Sequence, residues 1–175
     1  MASEVEQLES GLPQDEHRAE DGPSGPVILG SGGFKYEVSG KNWGTLPEGW
    51  NYKEATSVAA DGNDRIYVFN RGTSPMIVFD AEGNLVDHWG QGEFSNPHGV
   101  TVAPDGNLFT VDNGDGTVKK FTPGGELLMT LGEANKPAAK MSGKPFSVPT
   151  HVGIDKKTGE FYVADVYSNA RVHKY

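Results

Sequence analysis

The chain repeats itself, and that constrains its fold more than any other feature. Three segments align: "SVAADGNDRIYVFNRGTSPMIVFDAEGNLVDHWG", "HGVTVAPDGNLFTVDNGDGTVKKFTPGGELLMTLG" and "THVGIDKKTGEFYVADVYSNARVHKY". Phe79, Phe121 and Tyr175 correspond, as do Asn70, Asp112 and Asp165, and Gly90 and Gly132. Units that recur every 40–55 residues or so imply one supersecondary structure stacked on copies of itself. Within each unit, "RIYVF", "NLFTV" and "EFYVA" have the β-branched and aromatic content of central strands. "DGN", "AEGN" and "PGGE" supply Asp-Gly and Gly-Gly turn chemistry between strands. No segment has a helical period. The 24 Gly and 11 Pro, beside 8 Phe, 6 Tyr and 3 Trp, fit short strands joined by tight turns.

Four short antiparallel strands per unit define a β-propeller blade. The expected fold is all-β, with about three blades of a six-bladed ring at residues 50–90, 91–132 and 145–175. The third unit reaches only the position of Phe79 and Phe121, so it lacks a fourth strand. Propellers close with four to eight blades. The expectation is therefore the N-terminal portion of a longer protein, with self-association through open blade edges as the alternative route to closure. Residues 1–25 read as a disordered acidic leader, with at most a weak helical turn over Met1–Glu9. Val27, Ile28 and Leu29, then Phe34, Tyr36 and Val38, read as strand material around a Gly turn, so 26–175 is taken as the folded part. The "GSGG" between them is not a phosphate loop, because no Lys-Ser/Thr and no helix follow.

Charge and composition exclude several functions. A net charge of −9 disfavours nucleic acid, and Lys119-Lys120 and Lys156-Lys157 read as short solvated pairs rather than a basic patch. Without Cys there is no disulfide, thiolate metal site or cysteine nucleophile. No apolar run approaches a membrane span, and the first 25 residues have no basic n-region or apolar h-region. As written, without a signal, the chain reads as cytoplasmic.

Strand direction alternates along a blade, so the turn after each second strand and the entry to each first strand share one face. Arg71 follows a second strand in "VFNRG", His98 opens an innermost strand in "NPHGV", and Tyr167 follows a second strand in "ADVYSNAR". All three are placed on that face. From position alone, His98 is a metal ligand or a histidine bonded to the neighbouring blade, Arg71 makes a blade-to-blade salt bridge or lies on the surface, and Tyr167 packs around the axis. His151, one place past Thr150, takes the opposite strand face. His88 and His173 read as exposed strand residues, and His17 lies in the leader. Asp112, Asp165 and Asn70 end equivalent strands and read as turn caps. Trp43, Trp50 and Trp89 read as packing.

"GEFYVADVYSNARVHKY" resembles an NHL repeat: a strand ending in Ala-Asp, then Asn-x-Arg-Val and an aromatic. "VFNRG", "NPHGV" and "ADVYSNARV" further resemble, in the same order, the peptidyl-α-hydroxyglycine α-amidating lyase family, over about residues 50–175; "VPTHV" stands where that family has Pro-Thr-Asp. The resemblance implies cleavage of a small peptide-like substrate, a carbinolamide, to a peptide amide and glyoxylate. It makes Arg71 the holder of the substrate carboxylate, His98 one of three histidine ligands of a catalytic zinc, and Tyr167 the general base. One imidazole cannot hold such a zinc, so the isolated chain is expected to be inactive, with zinc bound only in the complete ring. The family is often secreted, in tension with the missing signal. A structural calcium is the second expected ion. "DNGDG" is no EF-hand for it, since Val111 and Thr122 would fall on the first and last ligand positions. A non-catalytic NHL propeller that binds proteins is the alternative function.

Overall fold

The computed structural model describes residues 27–38 and 43–175. The leader expectations, Met1–Glu9 and His17 included, fall outside the described residues. The chain divides into two units, Met1–Lys41 and Asn42–Tyr175. In the first, β1 (Ile28–Ser31) and β2 (Phe34–Glu37) form an antiparallel hairpin across Gly32-Gly33. Leu29 faces Tyr36 and Ser31 faces Phe34.

The second unit is three antiparallel sheets. β3 (Ala55–Ala60), β4 (Ile66–Asn70), β5 (Met76–Phe79) and β6 (Leu85–Trp89) pair in sequence order. So do β7 (Pro97–Val102), β8 (Leu108–Asp112), β9 (Thr117–Phe121) and β10 (Leu127–Leu131). The third sheet has three strands, β11 (His151–Ile154), β12 (Phe161–Asp165) and β13 (Arg171–Lys174). The three sheets span residues 55–89, 97–131 and 151–174, and among the described residues there is no helix. These are propeller-type blades, meandering from β3, β7 and β11 outward. The innermost strands lie side by side, β3 against β7 and β7 against β11.

Strand composition follows position. β8, "LFTVD", is buried at every residue, because sheets cover both of its faces. β10, "LLMTL", lies at the outer edge and is largely exposed. Between the first two sheets pack Tyr67, Phe69, Met76, Leu108 and Phe121, with Phe94 wedged edge-on at 4.8 Å from Phe69. Between the second and third pack Phe109, Val111, Val118, Phe146, Val152 and Val163. Fully burying one such side chain is worth about 1.5–3 kcal/mol, so these two seams hold the blades together. The far side of the first sheet is covered by its own approach segment: Leu46, Trp50 and Tyr52 pack there, and Trp43 sits 5.3 Å from Phe79. Trp89 completes the first seam, 5.1 Å from Phe121.

Inner strands are tied directly. Ser57 Oγ accepts from the Val100 amide at 3.2 Å, and Thr101 Oγ1 donates to the Val152 carbonyl at 2.7 Å. At Gly99 the strands pass so closely that a Cβ would lie 2.5 Å from the Thr150 oxygen. Glycine is required there by that approach rather than by its backbone angle.

The residues at the ends of the second strands cap turns, as their repetition suggested. Asp112 takes the amides of Asn96, Gly114 and Asp115 at 2.8, 2.9 and 3.2 Å, and that of Ser95. Asp165 takes those of Ser147 and Val148 and bonds Asn169 at 2.7 Å. Asn70 accepts from Gly72 and donates to the Ser74 carbonyl. These three residues are at most 1% exposed. Each acidic cap also reaches the segment entering its own blade, so it sets where the innermost strand begins.

Two surface expectations are corrected. Lys119 is not solvated: it is 8% exposed, donates to the Glu93 carbonyl at 2.6 Å and lies over Phe94. An aromatic wall and a buried partner, Asp115 at 3.5 Å, draw its long stem inward. His173 is not an exposed strand residue either. Its Nε2 lies 3.3 Å from the buried Asp165 carboxylate, and its ring meets Phe146 edge-on.

Candidate active site

Arg71, His98 and Tyr167 come from three different blades and converge. Asn70 ends β4, and the chain then turns, leaving Arg71 half-buried just past the strand. Its amide donates to the Glu54 carbonyl at 3.0 Å, extending the Ala55–Asn70 pairing by one position. Arg71 Nε donates to the carbonyl of Pro97 at 3.2 Å, the residue immediately before His98. Arg71 Nη1 donates to Glu54 Oε2 at 2.6 Å. The arginine thus spans two blades, with its charge balanced within its own.

His98 lies in β7, half-buried. Its Nδ1 is 2.9 Å from the Thr150 carbonyl, across the seam to the third sheet. A carbonyl can only accept, so in this contact Nδ1 carries the hydrogen and Nε2 keeps a lone pair when the ring is neutral. A backbone acceptor behind one ring nitrogen is the usual way to orient the other toward a metal or a proton. Both readings of His98 therefore meet in one geometry, since the bond to the neighbouring blade is also the bond that leaves Nε2 available.

Tyr167 stands in the turn between β12 and β13, 67% exposed. Its ring meets that of His98 edge-on, with centroids 5.8 Å apart. Arginine, imidazole and phenol accordingly present a cation, a ligand or acceptor nitrogen, and an ionisable hydroxyl on one face.

The other histidines do not join them. His151 is exposed on β11 while Thr150 beside it is buried, as strand alternation requires. His88 is exposed and bonds Ser74 and Gln91, with Trp50 against it. Among the described residues, no group of three or more His, Cys, Asp or Glu side chains is placed to hold a metal ion. His98 fits as one zinc ligand, but the described residues do not make up a zinc site, and they offer no cage for calcium. Nor, among them, is any helix long and apolar enough to cross a membrane.

Two participants escaped the sequence reading. Glu54 was legible in principle, as the residue opposite Arg71 once β3 and β4 are paired. The Thr150 carbonyl left no signal, because any residue there would supply one.

The sheets and their order are those of a β-propeller, and the NHL repeat matches residues 94–121. A crystallised Bacteroides thetaiotaomicron protein of unknown function shares the fold, with a TM-score of 0.53 and 20% identity over 67% of this chain and 32% of that chain. More specifically, the chain is similar to amidating lyases. It is 41% identical over 108 residues to peptidyl-alpha-hydroxyglycine alpha-amidating lyase 1 of Drosophila melanogaster, covering 60% of this chain and 19% of the relative. To lyase 2 of the same organism it is 28% identical over 161 residues, covering 77% and 38%. The chain thus spans less than half the length of these relatives.

Proposed function

We propose that this chain forms part of an NHL propeller that cleaves a peptidyl-α-hydroxyglycine to a peptide amide and glyoxylate. The observation that carries the proposal is the meeting of Arg71, His98 and Tyr167 on one face, with His98 Nδ1 committed to Thr150. The similarity to amidating lyases supports it.

The chemistry needs three things from these residues. Arg71 pairs with the terminal carboxylate and fixes the carbinol carbon near the ring pair; a guanidinium suits that anion as a fork. Tyr167, as general base, takes the proton from the carbinol hydroxyl. The oxygen's electron pair then forms the aldehyde C=O, the C–N bond breaks, and a proton reaches the departing amide nitrogen. Atoms and charge balance with no oxidant or water consumed. His98 would supply Nε2 to a zinc whose remaining ligands come from elsewhere; when bound, that ion polarises the hydroxyl.

The test is glyoxylate released from N-benzoyl-α-hydroxyglycine by the protein purified from its source, before and after chelation. Tyr167→Phe and His98→Ala are each expected to lower the rate by about 10²- to 10⁴-fold. Absence of glyoxylate from the metal-replete protein rejects the proposal. The second reading, a protein-binding NHL propeller, draws on Arg71 and His98 already being bonded within the protein. It gains if zinc-replete protein is inactive.

A further inference from the structure

We infer that Glu54 tunes the anion affinity of this site by sharing the Arg71 guanidinium with an incoming carboxylate. The inference rests on the lyase-type reading, in which Arg71 is the carboxylate holder.

Glu54 and Arg71 are locked opposite each other by the backbone, since the Arg71 amide donates to the Glu54 carbonyl. Their side chains meet at 2.6 Å on the same edge. The two are unequally anchored. The arginine side chain is 26% exposed and has a second tether, Nε to the Pro97 carbonyl, whereas the glutamate side chain is 56% exposed. A partly buried cation with a second tether, facing an exposed carboxylate, stays in place if that carboxylate is displaced. Arginine carries about five N–H donors, and these contacts engage two, so the fork has room for another acceptor. A ligand carboxylate arriving there has the chemistry Glu54 already supplies. It must displace Glu54 or bind beside its negative charge, and either weakens binding.

The ligand class is an N-acyl amino acid with a free carboxylate next to a polarisable centre. Hippurate, N-benzoylglycine, is a stable probe of that class. It is titrated into the ¹⁵N-labelled chain while the Arg71 Nε–H and His98 ring signals are followed. Glu54→Gln keeps an oxygen acceptor for Arg71 and removes the charge, so the fold and the arginine's position are retained. Hippurate is expected to bind that variant about two- to fivefold more tightly, the scale of an exposed ion pair. In an Arg71→Gln background the same change should have no effect.

Equal affinity with Glu and Gln at position 54 overturns the inference and leaves the lyase-type reading standing. So does a gain that persists without Arg71, because the effect would then not pass through the guanidinium. Failure of hippurate to move Arg71 or His98 signals in either form also overturns the inference, while the lyase-type reading is decided by glyoxylate release from the protein purified from its source.

Discussion

At the scale of single residues, the site depends on which nitrogen of His98 holds its hydrogen. The Thr150 carbonyl at 2.9 Å demands that it be Nδ1. Nitrogen-15 spectra of the neutral ring should therefore show Nδ1 protonated and Nε2 bare. A proton on Nε2 instead would remove the ligand lone pair and, with it, the metal-binding reading of this residue. The bond joins residues 52 positions apart and ends on a backbone atom, so only folding could reveal it. Arg71 and Tyr167 were legible from their places after second strands and from the resemblance carried by "VFNRG" and "ADVYSNARV". Glu54 was not singled out, since an acidic residue before a strand is unremarkable until its partner strand is aligned.

At the scale of the element, the turn between the first two strands of each sheet repeats one device. Asp61, Asp105 and Asp155 accept backbone amides two residues on, at 2.8, 3.1 and 2.8 Å. All three carboxyls are held below the ordinary aspartate range. At Asp61 burial pushes upward but is outweighed by the Arg65 and Asn63 amides and the Tyr67 hydroxyl. At Asp105 the Lys120 ammonium leads, and at Asp155 the Lys157 amide does. A carboxyl with a lower pKa folded than unfolded stabilises the fold above its unfolded value, about 3.9. That contribution is lost as pH falls through the folded value. The urea midpoint, followed by tryptophan fluorescence, should hold nearly level from about pH 7 to 5 and fall below about pH 4. Asp105→Asn should flatten that acid limb relative to the parent chain. Identical acid limbs would show that this turn contributes nothing. The turns at Asp61 and Asp105 were readable from "DGN" because their chemistry is local. Burial of Lys119 was not, since Phe94 and Glu93 reach it from a neighbouring segment.

At the scale of the whole molecule, the middle sheet is covered on both sides by the other two, and this should order its dynamics. Amides of β8 and β9, in a sheet flanked by two apolar seams, should exchange with deuterium most slowly. Amides of β13, exposed along most of its length, and of the β1–β2 hairpin should exchange fastest. Uniform exchange across the three sheets would mean that they open as one unit.

The sequence alone determined the repeat, the strand order within each blade, the turns and the capping positions at Asn70, Asp112 and Asp165. Those follow from contacts between near neighbours, where periodicity, β-propensity and turn chemistry act. Tertiary structure alone decided that Arg71 would be tethered beside His98, that Thr150 would orient the imidazole, and that Glu54 would face the guanidinium. These depend on how closely innermost strands approach, a distance set at Gly99 by the absence of a Cβ and by seams of aromatic side chains packing between blades.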